Sequence, residues 1–190
     1  MSDTIDPSAT GMIWAAGEVI WRQGDAAAPL RVSKGIVAYR RGEVSIGLIG
    51  PGQVAMPVPG VSGTNVTATD LVAVTETVAS EIPASELSLA DQQASVNAII
   101  VGADRLGNMA LAQRLASLLL EMTAMLGHPV VHCRQDVLAM VAAARRETVS
   151  TVLSVWRDED WIDTRYRRVI IRDREAMTKV LSQTRGGGHA

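Results

Sequence analysis

A single cysteine, Cys133, stands in 190 residues. It excludes an internal disulfide and suits a reducing compartment, so a cytoplasmic location is expected. No apolar run approaches the roughly 20 residues that cross a bilayer, and no membrane partner is expected. The opening MSDTIDPSATGM is acidic and polar, without the basic region and apolar core of a signal peptide. Catalytic constellations are missing as well. There is no glycine-rich loop of phosphate-binding spacing, no HExxH and no serine in a nucleophile elbow. Glu147, Asp158, Glu159 and Asp160 offer carboxylates, but as cap and turn residues around one helix. The chain is not expected to be an enzyme.

What is present points to two modest domains of different charge. The length suffices for both. Five Lys/Arg face eleven Asp/Glu through Asp104, a balance of −6, whereas thirteen face nine from Arg105 onward, a balance of +4. A mildly basic C-terminal half on an acidic N-terminal half suits a nucleic-acid module joined to a regulatory one.

The most informative stretch is Cys133 to Ile162, CRQDVLAMVAAARRETVSTVLSVWRDEDWI. Gln135–Asp136 opens a short run with Val137, Leu138, Met140 and Val141 apolar. Ala142–Ala143–Ala144 forms a small-residue turn. A second run begins at Arg145 and sets Val149, Val152, Leu153 and Trp156 on one helical face. Two short helices joined tightly, the second with a basic N-terminal end, form a helix-turn-helix pattern. Its second helix reads base edges in the DNA major groove. Arg146, Glu147, Ser150 and Thr151 lie opposite the apolar face and are the base-reading candidates. Arginine pairs with guanine O6 and N7, and glutamate accepts from cytosine N4. Asp163 to Arg168 then makes a basic turn before Val169-Ile170-Ile171, a wing. Arg134, Gln135, Arg145, Arg165, Arg167 and Arg168 are candidates for phosphate contacts, which position a protein without reading sequence.

These residues resemble the winged helix-turn-helix of the cyclic AMP receptor protein / fumarate-nitrate regulator family, whose signature is similar to RQ-[DE]-[IL]-A…G-x-x-RETV-x-R-x-L. Arg134, Gln135, Asp136, Arg146, Glu147, Thr148, Val149 and Leu153 match. The turn carries alanine in place of glycine, and Thr151 stands where the family usually has a second arginine. The resemblance implies an α+β chain: an N-terminal antiparallel β-roll like a cyclic-nucleotide-binding domain, a long dimerisation helix, and the winged helix-turn-helix. It also implies a homodimer on double-stranded DNA at a pseudo-palindromic site, with RNA polymerase as a further partner left open.

The N-terminal half fits that implication more loosely. From Met12 to about Glu86, short apolar runs punctuated by Gly and Pro (GEVIW, RVSKGIVAYR, VSIGLIGPGQVAM, LVAVTETVASEI) argue for many short strands. The family's nucleotide cassette resembles GE-[LI]-[AG]-L followed by R-[ST]-A, in which Arg neutralises the phosphate and Glu binds the ribose. The matching stretch here, Gly52 to Met56 and Thr64 to Ala68, holds neither Glu nor Arg. A buried phosphate without a cation is costly, so ordinary cyclic AMP binding is not expected. The effector is open, including none at all.

Cluster and haem sensing lack ligands too, since the histidines are His128, His132 and His189. His128, His132 and Cys133 are read as a strand edge and not as a metal site, and no cofactor is expected. Leu89, Val96, Ala103 and Ala110 recur every seventh position, with Ile99 and Leu106 between them. Val96, Ile99, Ala103 and Leu106 are the dimerisation candidates. Gly102 and Gly107 weaken that helix and are read as allowing close approach of the partner or a hinge. The expected division is a flexible arm (1–11), the roll (12–87), the dimerisation helix (88–109), the DNA-binding domain (110–182) and a disordered tail (183–190). The competing function is a cyclic-nucleotide or other small-ligand sensor whose winged helix contacts a protein partner.

Overall fold

The computed structural model describes residues 11–59 and 66–182. Most of the expected arm, the tail with His189, and Thr64–Asn65 of the cassette-like stretch lie outside the described residues. Eight strands come first: β1 (Met12–Trp14), β2 (Val19–Trp21), β3 (Leu30–Lys34), β4 (Val37–Arg41), β5 (Val44–Ile49), β6 (Val54–Ala55), β7 (Asp70–Ala73) and β8 (Thr77–Glu81). They form two antiparallel sheets ordered β1-β8-β3-β6 and β2-β7-β4-β5. The β4–β5 hairpin turns at Gly42–Glu43 and pairs Arg41 with Val44, so the roll is short there.

Two cores explain why the strands read as continuous apolar runs. In β4, Val37 and Tyr39 point into the roll while Ala38, between them, joins a second cluster. In β5, Ile49 goes inward and Leu48 outward. The outward set (Ile36, Ala38, Leu48, Val74) packs into the same core as the C-terminal helices. A strand buried on both faces has no place for the polar alternation of a half-exposed one.

α1 (Leu89–Asn108) begins at a capping box: Ser88 Oγ accepts the Asp91 N–H, and the Asp91 carboxylate accepts the Ser88 N–H, each at 3.1 Å. It lies across β5 with backbone against backbone. A Cβ on Gly102 would sit 2.3 Å from the Ile46 carbonyl oxygen, and one on Gly47 would sit 2.8 Å from the Ala98 carbonyl. Gly102 therefore serves close approach to the chain's own strand, not to a partner. The same docking rearranges the heptad. Ile99 packs on the roll and Leu106 is half-buried, whereas Leu89, Gln93, Val96, Ile100 and Ala103 are exposed at alternating spacings of four and three. The exposed stripe thus keeps Val96 and Ala103 and carries Ile100 in place of Ile99. Ala110 leaves it altogether, because α1 ends before Met109 and Ala110 caps the next helix.

α2 (Leu111–Leu126) buries Leu115, Leu118, Leu119 and Met122 and ends at Gly127 in the left-handed region. Arg105, itself buried, ties the two helices by donating to Ser117 Oγ at 3.1 Å and pairing with Glu121. β9 (Val130–Val131), α3 (Gln135–Val141), α4 (Arg146–Asp158), β10 (Ile162–Arg165), β11 (Arg168–Ile171) and α5 (Arg174–Ser182) complete the chain, with a sheet ordered β10-β11-β9. The sequence reading did not single out α5; it closes the core through Met177 and Val180.

Candidate nucleic-acid interface

The site starts from the core that α2 shares with α3 and α4. Val137, Leu138 and Val141 of α3 are buried, and so are Val149, Leu153 and Trp156 of α4, at spacings of four and three. The turn between the helices is closed by Ala143 at φ +50, with the Ala144 N–H donating back to the Ala139 carbonyl at 3.0 Å. That conformation favours glycine, so the alanine noted in the sequence sits there under strain of roughly 1 kcal/mol.

Burying one face of α4 fixes the other. Arg146, Glu147, Ser150 and Thr151 are exposed together, and with Ser154 and Gln135 they line one open surface. No side-chain partner within the described residues engages Arg146, Glu147 or Ser150; Thr151 Oγ1 donates to the Glu147 carbonyl at 3.0 Å. Arg145 precedes α4 and provides no side-chain cap. The first-turn amides of α4 therefore point, uncapped and at the positive end of the helix dipole, toward whatever anion approaches.

Beside this face is a cleft of about 470 Å³ between the starts of α3 and α4 and the wing. The phosphate candidates divide in two around it. Arg134 pairs with Asp136, and Arg165 donates to Asp163 at 3.2 Å, where Arg172 also donates at 3.3 Å. The Arg134 hydrogen bond holds the Asp136 carboxyl below its ordinary range. Arg145, Arg146 and Arg168 have no ion-pair partner among the described residues. Arg167 lies over the Tyr166 ring, 4.9 Å from its centre. Tyr166, 82% exposed at the wing tip, escaped the sequence reading. An aromatic residue framed by Arg165, Arg167 and Arg168 in a tight turn was the available signal.

The described part of the cassette-like stretch is hydrogen-bonded within the chain itself. The Met56 N–H donates to the Tyr39 hydroxyl at 2.6 Å, and that hydroxyl lies 3.0 Å from the Met56 carbonyl and 3.4 Å from Ser95 Oγ. Ser95, buried on α1, donates to the Val54 carbonyl at 2.6 Å. On the neighbouring strands β4 and β7, Arg40 and Asp70 pair with each other. His128 Nδ1 accepts the Val130 N–H at 3.3 Å, a strand-edge contact. Cys133 is buried, and burial, followed by the nearby Asp136, pushes its thiol up to about 12. Among the described residues no group of three or more His, Cys, Asp or Glu could hold a metal ion. No described helix is long and apolar enough to cross a membrane.

Comparison with known proteins agrees with this geometry. Residues 113–180 match the Crp-like helix-turn-helix domain. Over about nine-tenths of the chain the fold is that of solved CRP/FNR regulators. TTHB099 of Thermus thermophilus, a CRP-family transcriptional regulator, superposes with a TM-score of 0.69 at 21% identity, covering 91% of this chain and 97% of that one. FixK2 of Bradyrhizobium japonicum gives 0.69 at 17% identity, covering 90% and 96%. TTHA1359 of Thermus thermophilus, of the CRP/FNR family, gives 0.66 at 21% identity, covering 91% and 98%. A search of curated protein sequences finds no match.

Proposed function

We propose that this chain, which carries a Crp-like helix-turn-helix domain on the fold of the CRP/FNR transcription regulators, acts as a cytoplasmic homodimer on a pseudo-palindromic promoter site. The observation that carries the reading is the outward face of α4. Arg146, Glu147, Ser150 and Thr151 stand exposed together, Arg145 and Arg168, without an ion-pair partner among the described residues, flank them, and the apolar residues Val149, Leu153 and Trp156 are turned inward. Arg146 and Glu147 read a guanine and a cytosine edge, and Ser150 and Thr151 contact the next bases. Arg145, Arg168, Arg167 and Gln135 hold phosphates. Arg134 and Arg165 join them by exchanging their aspartates for phosphate, at little cost because exposed ion pairs contribute only about 0–1 kcal/mol.

Dimerisation runs along the exposed stripe of α1, with Val96, Ile100 and Ala103 at its centre. Val96 is 55% and Ile100 58% exposed, an apolar helix face that a twin helix covers. Two α4 helices then enter successive major grooves about one helical turn apart. Regulation does not pass through ordinary cyclic AMP binding, since the Met56 amide of the cassette-like stretch is bonded to Tyr39 and the stretch holds neither Glu nor Arg.

The test is enrichment of a randomised duplex pool on the purified protein at moderate salt with no ligand added, together with its mass in solution. A two-fold symmetric site and a dimer mass are expected. Ile100→Glu should give monomers with an unchanged far-ultraviolet spectrum and lose the site. Absence of any enriched site from a folded dimer overturns the DNA-binding reading.

A further inference from the structure

The base-facing surface of α4 contains one side chain whose chemistry is already half decided within the protein. Thr151 occupies the position where the sequence signature has an arginine, the residue suited to guanine. Its Oγ1 donates to the Glu147 carbonyl, one helical turn back, at 3.0 Å. The only hydroxyl proton is engaged there, so the group cannot donate to guanine O6 or N7 without breaking a bond inside the helix. What remains on this exposed side chain is its γ-methyl group, beside Oγ1 lone pairs that accept but do not donate. Its neighbours sharpen the contrast: Ser154, further along the same face, is held by Arg157 Nη2 at 2.8 Å, and Ser150 and Glu147 remain the polar readers.

We infer that Thr151 reads the 5-methyl group of a pyrimidine in the major groove. Thymine carries that methyl group, and threonine methyl is among the apolar partners that contact it there. The same group on cytosine projects from the same ring carbon. A cytosine at this position is therefore bound more tightly when methylated at C5. The inference rests on the DNA-binding function proposed above and specifies one base of its site.

The experiment begins with the site enriched from the random pool. Each thymine is replaced in turn by 2′-deoxyuridine, which removes the methyl group and nothing else. At one position in each half-site uracil should weaken binding about fourfold, the worth of one methyl group taken from water. 5-Methylcytosine at that position should bind more tightly than cytosine. Thr151→Val, which keeps a methyl in place and loses the hydroxyl, should retain the thymine-over-uracil ratio. Thr151→Ser, which keeps the hydroxyl and loses the methyl, should bind both duplexes alike. A wild-type profile with no methyl-dependent position overturns the inference while leaving DNA binding intact. So does a Thr151→Ser variant that still discriminates, or a Thr151→Val variant that stops discriminating. A pool with no enriched site overturns the DNA-binding function and this inference together. Residue 151 is exposed, and thermal melts of both variants should match wild type.

Discussion

Gly102→Ala tests the docking of α1 on the roll, because two effects of opposite sign meet at this position. Helix propensity alone favours alanine by about 1 kcal/mol. The added Cβ, however, would lie 2.3 Å from the Ile46 carbonyl oxygen and 2.8 Å from the Gly47 nitrogen. A carbon meets a carbonyl oxygen at no less than about 3.3 Å, so α1 would have to recede by about 1 Å. Both colliding atoms are backbone, and no rotamer change relieves them. Overpacking of this kind costs about 1–3 kcal/mol, and the rigid surroundings favour the upper end. The net expectation is a loss of about 2 kcal/mol, or a fall in Tm of about 4–8 °C for a chain of this size. Thermal and urea unfolding followed by circular dichroism would measure it, at one fixed protein concentration so that dimerisation does not shift the midpoint. A variant as stable as wild type, or more stable as propensity alone requires, would refute the backbone-to-backbone contact.

Four further expectations rest on the same geometry. Ala143→Gly should raise stability by at most about 0.6 kcal/mol, since glycine relieves the left-handed strain while giving back part of it as unfolded-state entropy; a lower Tm would contradict the turn at φ +50. Tyr39→Phe removes the acceptor of the Met56 N–H and should cost about 1–3 kcal/mol in urea unfolding, whereas a neutral result would show that this buried bond does not hold β4 to the segment that follows β6. Arg145→Ala and Arg168→Ala should each flatten the plot of log binding constant against log salt by about one per phosphate contact, at every sequence alike; an unchanged slope would remove these arginines from the interface. Burial raises the Cys133 thiol to about 12 and raises Tyr39 above its ordinary value. For an acid whose folded value is raised, stability is full below the unfolded value and lost as pH rises toward the folded one. Unfolding free energy should therefore decline from about pH 8.5 upward, and a flat profile to about pH 11 would contradict the burial of both groups.

Part of this architecture is legible in the chain itself, for physical reasons that can be named. The helix-turn-helix announces itself because each of its helices buries one narrow face. Val137, Leu138 and Val141, then Val149, Leu153 and Trp156, recur at helical spacing, and whatever lies opposite must be exposed. Arg146, Glu147, Ser150 and Thr151 follow from that constraint without any knowledge of the tertiary structure. Ser88 with Asp91 marks the start of α1 equally locally.

The heptad was a weaker guide. A seven-residue recurrence in α1 fits a stripe facing a twin or a stripe facing the chain's own sheet, and α1 carries one face against the roll and one exposed face. Only the docking of Gly102 on Ile46 and Gly47 assigns Ile99 to the roll and leaves Ile100 outside. The ion pairs of Arg134 and Arg165 were likewise invisible, although their aspartates stand two residues away. A surface arginine reads the same in sequence whether it is free or paired, and the difference is set by rotamers and turns.

Local sequence determined the start of α1, the exposed face of α4 and the strand-rich first half, because capping and periodicity act over a few residues. The tertiary structure alone decided that the outer face of β4 and β5 is not solvent-exposed but shares one core with α2, α3 and α4. That core joins residues far apart in the chain, such as Ala38 and Leu138. No local pattern encodes which of two apolar faces a distant helix will cover, and the choice is made by the combined burial of both.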